Sequence, residues 1–147
     1  MNKVVLMGRL TRDPDVRYTQ GDQPLCIARY TLAVDRRFKR DGEPTADFIG
    51  CVVFGRSAEF AEKYFCKGMR VTVSGRIQTG SYERDGQKVY TTDVVVEEQE
   101  FAESKAANEE IRSTQSAPSA PQSAPQMDAG DGFMNIPVEI EDELPFN

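Results

Sequence analysis

Between residues 3 and 97 the apolar side chains fall in short β-branched runs separated by turn signals, and one stretch only is spaced for a helix. Such runs point to strands, because successive side chains of a strand alternate between two faces. They lie at residues 3–10 (KVVLMGRL), 25–35 (LCIARYTLAVD), 46–54 (ADFIGCVVF), 69–79 (MRVTVSGRIQT) and 88–97 (KVYTTDVVVE). In the second run Cys26, Ala28, Tyr30, Leu32 and Val34 share one face, and Arg29 and Thr31 take the other. Residues 11–23, with Asp13-Pro14 and Gly21, are expected to turn, and so is Asp41-Gly42. Asp85-Gly86 is a strong hairpin signal. The helix is expected after residue 56: Ser57 is the N-cap candidate, Phe60, Ala61, Tyr64 and Phe65 form the apolar stripe, and Gly68 stops it.

The expected order is thus three strands, a helix, then a two-stranded hairpin. Five strands with one helix between the third and fourth is the order of the OB-fold, a mainly β Greek-key barrel, although several α+β folds share it. The character of the chain changes near residue 101. The segment STQSAPSAPQSAPQ carries no charge and no apolar residue larger than Ala, so it has too little surface to bury to offset the entropy of ordering. Three parts are expected: a domain over residues 1–103, a disordered linker over 104–132, and an acidic tip over 133–147. Residues 1–100 hold 16 Lys and Arg against 15 Asp and Glu, and residues 101–147 hold 2 against 9. The net charge of −6 therefore belongs to the C-terminal part, and it does not argue against a polyanionic partner for the domain.

Other classes find little support. Cys26, Cys51 and Cys66 make an odd number with no C-x-x-C pair, and there is no His, so a zinc site is short of ligands. Buried thiols in a reducing compartment are expected instead. No apolar run is long enough for a membrane span or a secretory signal, so the expectation is a cytoplasmic protein with no membrane partner. Asp13, Asp15, Asp35 and Asp47 stand beside turns, where carboxylates cap and solvate. No nucleophile–base or metal-ligand spacing supports an enzyme, so no catalytic residue, metal or cofactor is expected.

Binding of a nucleic acid single strand needs cations for phosphates and flat rings for bases. Phe38 sits inside Arg36-Arg37-Phe38-Lys39-Arg40. Phe48 and Phe54 are evenly spaced on the third strand, with Gly50 and Val52 between them, so both point one way. The opposite face, Ile49, Cys51 and Val53, is taken as the barrel interior because small apolar residues suit a narrow barrel. Tyr82 lies near the hairpin tip, close to Arg84 and Lys88.

Over about residues 2–100, and again at its last residues, the sequence resembles the bacterial single-stranded DNA-binding protein family. The motifs are NKVVLMGRLTRDPDVRYT, TLAVDRRF, DFIGCVVFG, the Lys67-Gly68 pair, SGRIQTGSY and VYTTDVVVE. The resemblance implies an OB-fold, a homotetramer, and stacking of single-stranded DNA on Phe38, Phe48, Phe54 and Tyr82. Many members have Trp at the positions of Phe38, Phe48 and Tyr82, whereas this chain has none. Some relatives also carry basic residues where Gly50, Gly80 and Ser81 stand. Phosphate contacts are expected from Lys3, Arg9, Arg17, Arg36, Arg37, Lys39, Arg56, Arg76, Arg84 and Lys88. The tip residues Glu141, Asp142, Glu143, Leu144, Pro145 and Phe146 are those such a family uses to recruit replication, repair and recombination proteins. Acids steer such a tip to basic surfaces, and Leu and Phe fill an apolar pocket. In the family the Phe is usually last; here Asn147 follows it. Against an OB-fold that binds only proteins stands the retained set of rings and basic residues; RNA binding is compatible with the residues, because stacking and phosphate contacts do not read the 2′-hydroxyl.

Overall fold

The computed structural model describes residues 1–116. The chain runs β1 (Val4–Leu10), β2 (Asp15–Tyr18), β3 (Cys26–Asp35), β4 (Ala46–Phe54), α1 (Arg56–Tyr64), β5 (Arg70–Arg84), β6 (Gln87–Phe101) and α2 (Lys105–Ser116). The sheet order is β1-β5-β6-β4-β3-β2, and β1 also pairs with β3 at Arg9↔Ala33 and Leu10↔Leu32. That extra pairing closes a five-stranded barrel β1-β3-β4-β6-β5, with β2 added outside on β3. Every neighbouring pair is antiparallel except β4 with β6, which run parallel through Cys51↔Val94 and Val52↔Val95. This is the OB-fold, mainly β, as the strand order suggested.

The interior is the alternate set of each strand. Cys26, Ala28, Tyr30 and Leu32 of β3, Cys51 and Val53 of β4, Val71 and Val73 of β5, and Val94 and Val96 of β6 form one buried cluster. Helix α1 lies between β4 and β5 in the chain and contributes Ala58 and Ala61 to the same core. Phe65 meets Tyr30 edge-on, with ring centroids 5.8 Å apart. The Tyr30 hydroxyl is satisfied, donating to Gln99 Oε1 at 2.9 Å, and Gln99 Nε2 donates to the Ser57 carbonyl at 2.6 Å.

The sequence expectations need four corrections. Residues 11–23 do not all turn: Asp15–Tyr18 is a strand, held by its ladder to β3, by Val16 against the core, and by Tyr18 donating to Glu62 at 2.6 Å. Ser57 is not the N-cap. The chain leaves β4 through Gly55 at φ +66°, and the Gly55 carbonyl accepts from the amides of Ala58 and Glu59. A glycine can take that left-handed turn where serine would be strained. The hairpin strands also run further than expected, to Arg84 and from Gln87 to Phe101, with Asp85-Gly86 alone as the turn.

The fourth correction concerns residue 104, where the linker was expected to begin. Residues 105–116 are instead helix α2. Ser104 caps it, accepting from the Ala107 amide at 3.4 Å, and Ala, Glu, Lys and Arg favour the helical state. Tertiary contacts supply the rest. Ile111 packs on the core, and Arg112 bonds the Lys63 carbonyl while its guanidinium lies 5.7 Å from the Tyr64 ring. The remainder of the expected linker, and the tip, lie outside the described residues.

Candidate nucleic-acid interface

The strand registers define one continuous outer face. On β4 it holds Phe48, Gly50, Val52 and Phe54. Their partners on β3 are Ala33, Thr31, Arg29 and Ile27. The parallel pairing of Val52 with Val95 carries the face onto β6, through Val95, Asp93, Thr91 and Val89. Their antiparallel partners on β5 are Arg76, Gln78, Gly80 and Tyr82. Phe54, Val52, Gln78, Gly80 and Asp93 line one recess, so these strands do share a surface.

The expected interior of β4 is the observed one. Cys51 and Val53 are buried, Ile49 packs partly on the core, and Phe48 and Phe54 are 70% and 44% exposed. Alternation explains this: once Cys51 and Val53 fill the barrel, the two rings must face out. Tyr82 is 49% exposed on the hairpin arm. Phe38 lies in the loop joining β3 to β4 and is 80% exposed, with the Arg37 guanidinium 5.8 Å from its ring centroid. Exposed aromatic rings of this number carry a hydration cost that a ligand would relieve.

The ten expected phosphate-binding cations divide. Lys3 and Arg76 both reach the Glu97 carboxylate, at 2.8 and 3.5 Å. The hydrogen bond from Lys3 holds that carboxyl below its ordinary range, and raises Lys3 in return. Arg9 donates to the Gly68 carbonyl at 2.8 Å and pairs with Glu103, which draws it toward the α1 end of the barrel rather than toward the rings. Arg36 is bound to Asp47 through Nε at 2.9 Å and Nη2 at 2.7 Å, a contact that raises its pKa further. Lys39 and Arg17 have looser pairs, with Asp35 at 3.7 Å and Asp15 at 3.5 Å. No ion pair among the described residues engages Arg37, Arg56, Arg84 or Lys88.

Sequence reasoning missed several groups on or beside this face. Arg29 projects from the β3 margin of it, opposite Val52, and its strand parity, opposite to the core set, was the available signal. Arg12 lines the same recess as Arg29. Tyr90 is 75% exposed on the other side of the hairpin, with Lys88 Nζ 5.4 Å from its ring centroid. Asp93 stands in the middle of the face, and only the register across β6 brings it there.

The face thus offers rings, cations and a few uncharged hydrogen-bonding groups on an open curved surface. Among the described residues no group of three His, Cys, Asp or Glu is arranged to hold a metal ion, and no helix is long and apolar enough to cross a membrane. Such an arrangement can stack planar groups and neutralise a chain of phosphates.

A family model described as the single-strand binding protein family matches residues 1–102. A "Single-stranded DNA-binding protein 3" of Clostridium acetobutylicum is 51% identical over 109 residues, covering 74% of this chain and 75% of that protein. Two relatives align along nearly the whole chain. The single-stranded DNA-binding protein of Fusobacterium nucleatum subsp. nucleatum is 38% identical, covering 99% of this chain and 100% of its own length. That of Staphylococcus aureus is 39% identical, with 99% of each chain covered.

Proposed function

The chain belongs to the single-strand binding protein family, and from that premise we propose that it binds single-stranded DNA without sequence dependence, as a binding protein and not an enzyme. The observation that carries the reading is the shared outer face of β3, β4, β5 and β6, on which Phe48, Phe54 and Tyr82 stand exposed together with Arg29. Bases stack on the rings, with Phe38 reaching from its loop, and phosphates meet Arg37 and Arg84 first. Stacking is tolerant of sequence because every base has a π-face, and it contributes about 1–3 kcal/mol per base.

The test is a salt-dependent titration of oligo-dT with the Phe38→Ala, Phe54→Ala double variant. Two stacked bases lost correspond to a weakening of roughly 30-fold or more. Unchanged affinity would remove the stacking assignment.

The cellular role proposed is protection of exposed single strands in replication, repair and recombination, in the cytoplasm at the nucleoid. The sequence of residues 141–146, three acids followed by Leu-Pro-Phe, supports recruitment of partner proteins through basic, apolar pockets. The same acids would compete with DNA for the domain's cations. Deleting residues 128–147 should then tighten DNA binding at low salt; a looser complex would contradict this.

A homotetramer is proposed as well. Val5 and Met7 of β1 are 67% and 55% exposed, and among the described residues the strand is paired on the side away from β5 only at Arg9 and Leu10. An open edge carrying exposed apolar side chains favours association. Mass measurement in solution, with and without oligo-dT, tests it.

A further inference from the structure

Of the sixteen positions that the registers place on the ring-bearing face, one is an acid. Asp93 is half-buried near the centre of a surface otherwise suited to a polyanion. Two adjoining recesses, of about 150 and about 200 Å³, share Asp93, Arg29 and Val52. Phe54 lines the larger, with Gln78 and Thr91. The Asp93 carboxylate rests over Gly50: a Cβ added there would lie 2.6 Å from Asp93 Oδ1. Any other residue at 50 would drive the carboxylate off the floor of the groove. The seven ion pairs of the described residues do not include Asp93, so its oxygens are not consumed by Arg12 or Arg29 alongside it.

A carboxylate in this position repels phosphate and can only accept hydrogen bonds. The groups of a single strand that satisfy it are N–H donors on base edges, which are open in unpaired nucleic acid. Among the bases, guanine presents two parallel donors, N1–H and the 2-amino group, matched to the two oxygens of one carboxylate. Charge-assisted, paired hydrogen bonds of this kind are the strong ones. Thymine has a single N–H between two carbonyl oxygens, which a carboxylate repels.

We propose that Asp93, beside the Phe54 ring, forms a subsite selective for guanine within an otherwise sequence-tolerant groove. The proposal rests on the single-strand binding reading above. Phe54 stacks the base, Asp93 receives its donor edge, and Gln78 and Thr91 supply uncharged hydrogen-bonding groups in the same recess. Gly50 is the floor that lets the carboxylate lie flat.

The experiment uses the full chain and three oligonucleotides of equal length: oligo-dT, oligo-dT with isolated guanines, and the same strand with inosine replacing guanine. Inosine keeps N1–H and lacks the 2-amino group. The wild-type protein should prefer the guanine strand over the inosine strand by about fivefold or more, the loss of one hydrogen bond to a charged acceptor. In Asp93→Asn, which keeps the shape and turns one acceptor into a donor, the ratio should fall to near one. Melting temperature reports that the variant is folded. A wild-type ratio near one, or a ratio unaltered by Asp93→Asn, overturns the proposal. Both outcomes are distinct from failure of the underlying reading, which would show as absent binding of wild-type protein to oligo-dT.

Discussion

The position of the hairpin on the ring-bearing face depends on one crossing, which Gly75→Ala should break. The β5–β6 register passes from Ser74↔Glu98 to Gly75↔Val96, so Glu97 is an extra residue on β6. That bulge reverses the parity of β6. Val94 and Val96 face the core on one side of it, and Gln99 reaches the buried Tyr30 hydroxyl on the other. At the crossing a Cβ on residue 75 would lie 2.0 Å from the Val95 carbonyl oxygen and 3.0 Å from the Val96 Cα. Both obstacles are backbone, so no rotamer change relieves them, and the strands must part by roughly an ångström. Overpacking by one methyl group costs about 1–3 kcal/mol where side chains can adjust. Here the cost should reach at least ~3 kcal/mol, a large share of the ~5–15 kcal/mol typical of a whole domain. That corresponds to a fall in melting temperature of about 10 °C or more. Gly80→Ala on the same strand is the control: its Cβ would meet only the Thr91 hydroxyl, at 3.1 Å, and that side chain can rotate. Thermal and urea melts of both variants decide the matter. The reasoning is refuted if Gly75→Ala loses less than about 1 kcal/mol, or if Gly80→Ala loses as much.

Two further outcomes follow from the charged and buried groups. Among the described residues Arg37 has no carboxylate partner, and it flanks Phe38, whereas Arg36 is held by Asp47. Arg37→Ala should therefore reduce the slope of log affinity against log salt by about 0.7, the value for one phosphate contact with a single strand, and Arg36→Ala should reduce it less. A larger effect at Arg36 would reverse the assignment. Burial, followed by the nearby Asp93 charge, pushes the Cys51 thiol from 9.0 to about 12. The folded state then keeps its proton after the unfolded state has lost it. The associated stability is complete below about pH 9 and is lost as pH rises toward about 12. Urea unfolding of Cys51→Val at about pH 8 and about pH 10.5 should show a shallower alkaline decline than wild type, and an identical decline would refute the linkage.

Much of the barrel is legible because alternation has one solution. With Cys51 and Val53 taken inward, Phe48 and Phe54 had to face out, and the same parity put Arg29 outside on β3. What escaped was set by partners distant in sequence. Residues 15–18 look like part of a turn-rich segment until β3 offers a ladder edge. Residues 105–116 carry a helical composition, but α2 forms against Tyr64 and Lys63 of a helix some fifty positions earlier. Asp93 reads as one more acid in a strand. Its place on the ring face depends on the β4–β6 parallel pairing, which joins strands separated by a helix and a hairpin strand. The glycine beneath it has the same origin, since Gly50 is explained by a carboxylate on another strand.

The cations show how far a list of basic residues is from a phosphate site. Six of the ten expected contacts, Lys3, Arg9, Arg17, Arg36, Lys39 and Arg76, hold carboxylates in the free protein. Exposed pairs of this kind are individually weak, at about 0–1 kcal/mol, so phosphate can displace the carboxylate. Each exchange nonetheless returns an unpaired acid to the surface beside the incoming polyanion. The net gain per paired cation is then smaller than for Arg37, Arg84 or Lys88. Among the described residues the rings have no such competitor: Phe48 and Phe54 are already open, and a stacked base removes apolar surface from water without breaking a contact. Removing a single ring should for that reason cost more affinity than removing a single paired cation, and the difference should widen as salt screens the charges.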